Sequence, residues 1–183
     1  MSFAIRSYNG SSKPTRRALP TRVPAHESGK LLELDLSYAA RRPWVPARAK
    51  FSAWVEAALA GGAPGAGKDR VAVSVRAVGS ARSRSLNLGY RGKDKPTNVL
   101  SFEGPGAMPD GSRILGELVI CVPVVAREAR AQGKSAESHW AHMTVHGVLH
   151  LLGFDHEHDR EARKMAAQEI QILDRLGFSN PYA

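Results

Sequence analysis

Residues 146–156 read HGVLHLLGFDH. His146 and His150 are four apart, so on a helix they share one face and their rings lie close enough to hold one metal ion. Gly153 is a helix-ending glycine and a turn. That turn is expected to return His156 over the first two imidazoles. His142 continues the stripe, but at the helical rise it sits about 12 Å along the axis from His150, too far for both to bind one ion. It is a candidate for a group that hydrogen-bonds a ligand. His158 competes with His156 but lies further past the turn, and His139 reads as a packing residue. Three imidazoles with an open fourth position describe a catalytic zinc site rather than a closed structural one, so one zinc ion per chain is the expected cofactor.

The spacing is that of the HExxHxxGxxH metalloproteases, with one difference. Those enzymes place Glu directly after the first His as general base. Here the position is Gly147. The metal cage is kept and the peptidase base is missing, which argues against a protease.

Outward from this stretch the chain alternates strand and helix signals. Ser135 is an N-cap for a helix running to Leu152. A second helix over 157–176 carries Ala162, Met165, Ala166, Glu169, Ile170, Leu173 and Leu176 at helical spacing. Upstream, 31–37, 70–78, 98–102 and 114–122 read as strands, and Val71, Val73 and Val75 alternate as a strand requires. Helices are expected over 47–60, with Phe51, Trp54, Val55, Ala58 and Leu59 inward, over 80–90 with Ser80 as N-cap, and over 124–133 closed by Gly133. The Gly- and Pro-rich stretches 61–69 and 103–113 read as a flexible and a mobile loop. The result is an α+β fold: one compact domain with a mixed, mostly parallel four-stranded sheet and about five helices.

The chain has 183 residues, enough to bury a core without disulfides. Its single cysteine, Cys121, rules out a disulfide framework and a multi-thiolate zinc site, and its apolar run makes it a small buried thiol. No stretch approaches the length of a membrane span, and the first residues lack the apolar core of a secretory signal, so a cytoplasmic protein is expected. The formal net charge is +9, which favours a polyanionic partner. Residues 1–30 hold six Lys and Arg against one Glu, a net +5, with little apolar content, and read as a basic, disordered arm ahead of a domain over 31–183.

Residues 82–98 read RSRSLNLGYRGKDKPTN, five cations against Asp94 alone. Beside a metal such a segment suits a phosphodiester, with an Arg fork on the phosphoryl oxygens and Tyr90 offering a stacking face. Together, residues 86–102, 115–156 and the C-terminal helix resemble the YbeY family of bacterial rRNA-maturation endoribonucleases, over about residues 31–183. The resemblance implies a zincin-like fold, zinc on His146, His150 and His156, and an important arginine at Arg91. It implies cleavage of single-stranded RNA in 16S rRNA 3′-end maturation and ribosome quality control. Its partners would be rRNA of the small subunit, a small-subunit ribosomal protein and the GTPase Era. Tyr90, Lys93 and Lys95 are candidate substrate contacts. Asp155, Glu117 and His142 are candidates for the base or for support of the ligands. Water and the RNA 2′-hydroxyl both remain open as nucleophile. The alternatives are a metal-dependent hydrolase of another substrate and a non-catalytic ribosome assembly factor with a structural zinc.

Because the arm is charged and poor in apolar residues, its contribution to RNA binding is electrostatic and screened by salt. Deleting residues 1–30 is expected to weaken RNA affinity at low ionic strength and to leave it nearly unchanged at high salt. Filter-binding titrations across a salt series check this.

Overall fold

The computed structural model describes residues 4–5, 32–40, 42–62, 70–154 and 159–183. Apart from the pair at 4–5, the basic arm lies outside the described residues, as do residues 63–69 and Asp155, His156 and His158. In chain order the elements are β1 (Ala4–Ile5), β2 (Leu32–Tyr38), α1 (Arg48–Gly62), β3 (Val71–Val78), α2 (Ser80–Arg91), β4 (Val99–Ala107), β5 (Arg113–Cys121), α3 (Val122–Ala131), α4 (Ala136–Leu151) and α5 (Asp159–Arg175). The sheet order is β1-β4-β5-β3-β2. The four long strands fall on the four segments read as strands, and the two-residue β1 adds an edge beside β4 at Ser101 and Phe102. β2, β3 and β5 run parallel, and β4 returns antiparallel to β5.

Each long strand sends alternate residues to opposite faces of the sheet. One face carries Val73, Val75, Val99, Leu118 and Ile120; α1 and α4 cover it, and α5 packs against these two helices. The inward stripe of α1, Phe51, Trp54, Val55, Ala58 and Leu59, is buried as its spacing predicts. Phe51 meets Trp140 of α4 edge-on, with ring centroids 5.7 Å apart. The other face carries Val78, Leu100 and Val119, and Leu86 of α2 packs there.

Two expectations need correction. Residues 103–107 are strand, not loop: β4 continues to Ala107 across an irregularity between Glu103 and Gly106, and only 108–112 turn. The glycines read as loop signals instead permit a close approach of backbones. A Cβ on Gly104 would lie 2.5 Å from the carbonyl oxygen of Ile114. At α2, Gly79 occupies the N-cap position in extended conformation and Ser80 is already helical, without a side-chain cap.

α4 crosses the first sheet face at Gly147, where a Cβ would stand 2.8 Å from Cδ2 of Leu118 and 3.3 Å from Oγ of Ser101. Ser101 Oγ donates to the Gly147 carbonyl at 3.1 Å. The residue that breaks the protease pattern therefore faces the sheet. Leu118 is wholly buried. Gly147→Glu would drive a carboxylate into this apolar contact, and a loss of at least ~3 kcal/mol in urea unfolding is expected from overpacking and an unpaired buried charge.

Candidate metal centre

The histidine helix is set at both ends by local chemistry. Ser135 Oγ accepts from the Ser138 N–H at 3.1 Å and caps the N-terminus, as the sequence predicts. At the other end Gly153 takes a positive φ of 92°. The Gly153 N–H donates to the His150 carbonyl at 3.0 Å, and the Phe154 N–H to the Leu149 carbonyl at 3.0 Å. This turn brings the Phe154 carbonyl back over the last helical turn, where it accepts from His150 Nδ1 at 2.9 Å.

One turn earlier, His146 Nδ1 donates to Glu169 Oε1 at 2.6 Å, the length of a charge-assisted bond. A neutral imidazole carries one N–H, so these two bonds leave the lone pairs on both Nε2 atoms. The two Nε2 atoms face each other 3.2 Å apart. Lone pairs at that distance repel unless a cation lies between them. Two nitrogens bound tetrahedrally to one zinc at its usual bond length stand ~3.3 Å apart. The helical pair thus has the tautomers and the spacing that a shared ion requires.

Glu169 projects from α5 and is wholly buried. Burial alone would raise its pKa, but hydrogen bonds from His142 and His146 outweigh this and hold the carboxyl well below its usual range. His142 Nε2 lies 3.3 Å from Glu169 Oε2, and the Tyr182 hydroxyl donates to the same oxygen. Burial lowers the pKa of His142, so it is a neutral donor. His142, His146 and Glu169 are close enough together to suggest a metal triad of their own. The 2.6 Å separation of His146 Nδ1 and Glu169 Oε1 argues for a proton between them, since two ligands of one zinc stand further apart. Helical spacing places Glu169 on the stripe of the last helix and assigns it no chemical role. Its signal was a carboxylate within the apolar stripe of α5, between Met165 and Ile172–Leu173, all three buried. Tyr182 carries no such signal.

The basic segment lies on the other face of the sheet. α2 ends at Arg91, with Gly92 in the left-handed region. Two buried polar residues on its inner face hold the loop that follows. Ser83 Oγ donates to the Thr97 carbonyl at 2.8 Å and accepts from the Thr97 N–H at 3.0 Å, while Asn87 Nδ2 donates to the Lys95 carbonyl at 2.7 Å. Arg84 grips Asp94 with two bonds of 2.6 Å. Tyr90 rests edge-on against Phe102 of β4, with centroids 5.0 Å apart, and remains 53% exposed. Lys93 and Lys95 are exposed. Arg91 is partly buried, which lowers its pKa.

A family model described as "Endoribonuclease YbeY" matches residues 42–177. A protein named "Endoribonuclease YbeY" from Stenotrophomonas maltophilia strain K279a is 51% identical over 157 residues, covering 83% of this chain and 94% of its own length. Its namesake from strain R551-3 is 50% identical over the same span. The chain belongs to the YbeY family. The solution structure of TM1509 from Thermotoga maritima is similar with a TM-score of 0.49 and 24% identity, covering 79% of this chain and 89% of that one.

Within this YbeY chain the structure brings His146, His150 and His142 to one line on α4. It does not bring Glu117 to them. Leu118 points to α4, so Glu117 points to the α2 face, where it pairs with Arg76. Burial raises its pKa, and Arg76 acts against that rise. Glu117 is therefore not a base for chemistry at His146; its face was set by a strand parity that the glycine-rich irregularity before it obscures. His156 and Asp155 lie outside the described residues.

Glu128 of α3 joins the start of β4 to α4. Glu128 Oε2 accepts from Asn98 Nδ2 at 3.1 Å and lies 2.9 Å from Nε2 of His139, which is nearly wholly buried. Burial pushes the Glu128 pKa up, but the bonds from His139 and Asn98 bring it below its ordinary value. A depressed carboxyl stabilises the fold above its unfolded pKa, near ~4.3, and that contribution is lost as pH falls through the folded value. The stability gap between the native protein and Glu128→Gln is expected to be largest above pH ~5 and to shrink on acidification. Urea titrations of both proteins at several pH values check this.

Proposed function

We propose that this protein is a zinc-dependent endoribonuclease of single-stranded RNA, acting in 16S rRNA 3′-end maturation and ribosome quality control in the cytoplasm. The observation that carries the reading is the pair of Nε2 atoms of His146 and His150, 3.2 Å apart with both Nδ1 protons committed elsewhere. Membership of a family whose relatives bear the name of an endoribonuclease supports the substrate class. Among the described residues no helix is long and apolar enough to cross a membrane.

In this reading His156 is the third ligand, and one zinc ion is bound per chain. When bound, the ion supplies Lewis acidity and makes hydroxide available from water near neutral pH. The protein's own groups do the rest. Glu169 fixes the His146 tautomer, and the Phe154 carbonyl fixes that of His150. Arg91 clamps the phosphoryl oxygens with its planar fork and stabilises charge that develops on them. α4 and α2 lie on opposite faces of the sheet, so the RNA strand passes over the β1–β4 side of the sheet to meet both. The exposed ring of Tyr90 stacks a base there, and Lys93 and Lys95 neutralise backbone phosphates. Asp155 is the candidate base beside the ligands. The partners are small-subunit rRNA, a small-subunit ribosomal protein and the GTPase Era. A peptidase is disfavoured because position 147 faces Leu118 and leaves no place for the glutamate such an enzyme uses.

His150→Ala should fold, lose its zinc and leave unprocessed 16S rRNA 3′ ends in cells that carry only that variant. Arg91→Lys keeps the charge but loses the fork, so RNA cleavage should fall ~10- to 100-fold, the worth of one charge-assisted bond. Arg91→Glu should be worse, with zinc content and melting temperature retained in both. Mature 16S 3′ ends in cells carrying only Arg91→Glu would remove Arg91 from the mechanism. Retention of zinc by His150→Ala would remove the metal site.

A further inference from the structure

The chain ends in Asn180-Pro181-Tyr182-Ala183, past the last turn of α5. This short tail is held from several sides. Lys134, from the turn between α3 and α4, donates its ammonium to the Pro181 carbonyl, and Pro181 is buried. The Tyr182 N–H donates to Asn180 Oδ1 at 2.9 Å. The Tyr182 ring stands edge-on to His142, with centroids 5.6 Å apart. As a whole residue Tyr182 is 56% exposed, yet its hydroxyl turns inward and reaches a carboxylate that has no exposure at all.

We infer that Tyr182 is a positioning residue of the metal centre: its hydroxyl fixes the carboxylate of Glu169 so that Oε1 stays aligned with His146 Nδ1. The inference rests on the reading of His146 as a ligand and extends the site to the end of the chain. The two oxygens of Glu169 have divided roles. Oε1 takes the His146 proton, while Oε2 takes Tyr182 and His142. Two donors converging on Oε2 oppose rotation of the carboxylate, because rotation gives up both bonds. With Oε1 held, the His146 ring keeps its orientation and its Nε2 lone pair keeps its aim at the shared ion. Groups that orient a metal ligand in this way contribute strongly to affinity; their loss costs about 10- to 100-fold. Tyr182 is in turn a neutral donor, since burial and the adjacent Glu169 charge push its pKa up.

The test uses the full-length protein, with zinc affinity measured by competition with a chelator and the melting temperature of the metal-free form measured alongside. Tyr182→Phe keeps the ring against His142 and removes only the hydroxyl. About tenfold weaker zinc binding is expected, with the metal-free melting temperature unchanged. Tyr182→Ala should be at least as weak in zinc binding. His150→Ala serves as the reference for loss of a ligand. Zinc affinity of Tyr182→Phe within twofold of the native protein, while His150→Ala has lost its zinc, would overturn the role of Tyr182 and leave the metal site standing. A lower metal-free melting temperature with unchanged zinc affinity would do the same, reducing the tail to a structural clasp. Native zinc affinity in His150→Ala would overturn both.

Discussion

Glu169 is a charge without access to water, and the arrangement of the site follows from how that charge is satisfied. An unpaired carboxylate in such a position would cost several kcal/mol, on the order of what holds a domain together. It is tolerable because donors from two other parts of the chain converge on it: His142 and His146 from α4, and Tyr182 from the C-terminal tail. One side chain thereby fixes α5 against α4, closes the tail over both, and decides which nitrogen of His146 faces outward. The packing of the last two helices and the chemistry of the site are consequences of the same hydrogen bonds.

The second constraint is the approach of α4 to the sheet. Gly147 allows the helix to settle on Leu118 and Ser101, with a hydrogen bond from Ser101 to its own carbonyl. A helix seated this closely has one face committed to the sheet, so His146 and His150, about 100° and 60° round from Gly147 on the same side, are both turned to one flank of that contact. The substitution that separates this chain from the peptidases is thus a packing requirement as well as a change of chemistry. A base at position 147 and this helix–sheet contact exclude each other.

The basic segment is built by a different device. Ser83 and Asn87 are polar residues on the buried face of α2, four apart, and both spend their side chains on the backbone of residues 95–97. The loop that carries Lys93 and Lys95 is held by its neighbour helix rather than by an apolar core of its own. The bidentate Arg84–Asp94 pair is exposed and adds little stability, but it removes the one local anion from the field of the surrounding cations.

Residues near in sequence determined much of this protein. The His146–His150 pair, the Ser135 cap, the Gly153 turn and the inward stripe of α1 follow from helical periodicity and from the needs of unpaired backbone groups at helix ends. Alternation at Val71, Val73 and Val75 marked β3, and the apolar runs around it marked the other long strands of the mixed sheet. Local signals mislead at 103–107, where Gly104, a loop signal in sequence, serves a close strand pair, and at Glu117, whose face depends on the strand parity beyond Gly116. Tertiary structure alone decided that Glu169 meets His146, that Tyr182 meets Glu169, that Asn98 and His139 share Glu128, and that α2 and α4 take opposite faces of the sheet. Those contacts join residues 11 to 30 positions apart on separate elements. No periodicity spans such distances, because the angle and depth at which elements pack are set by the whole core; only Glu169, a carboxylate within an apolar stripe, marks a place where partners are required.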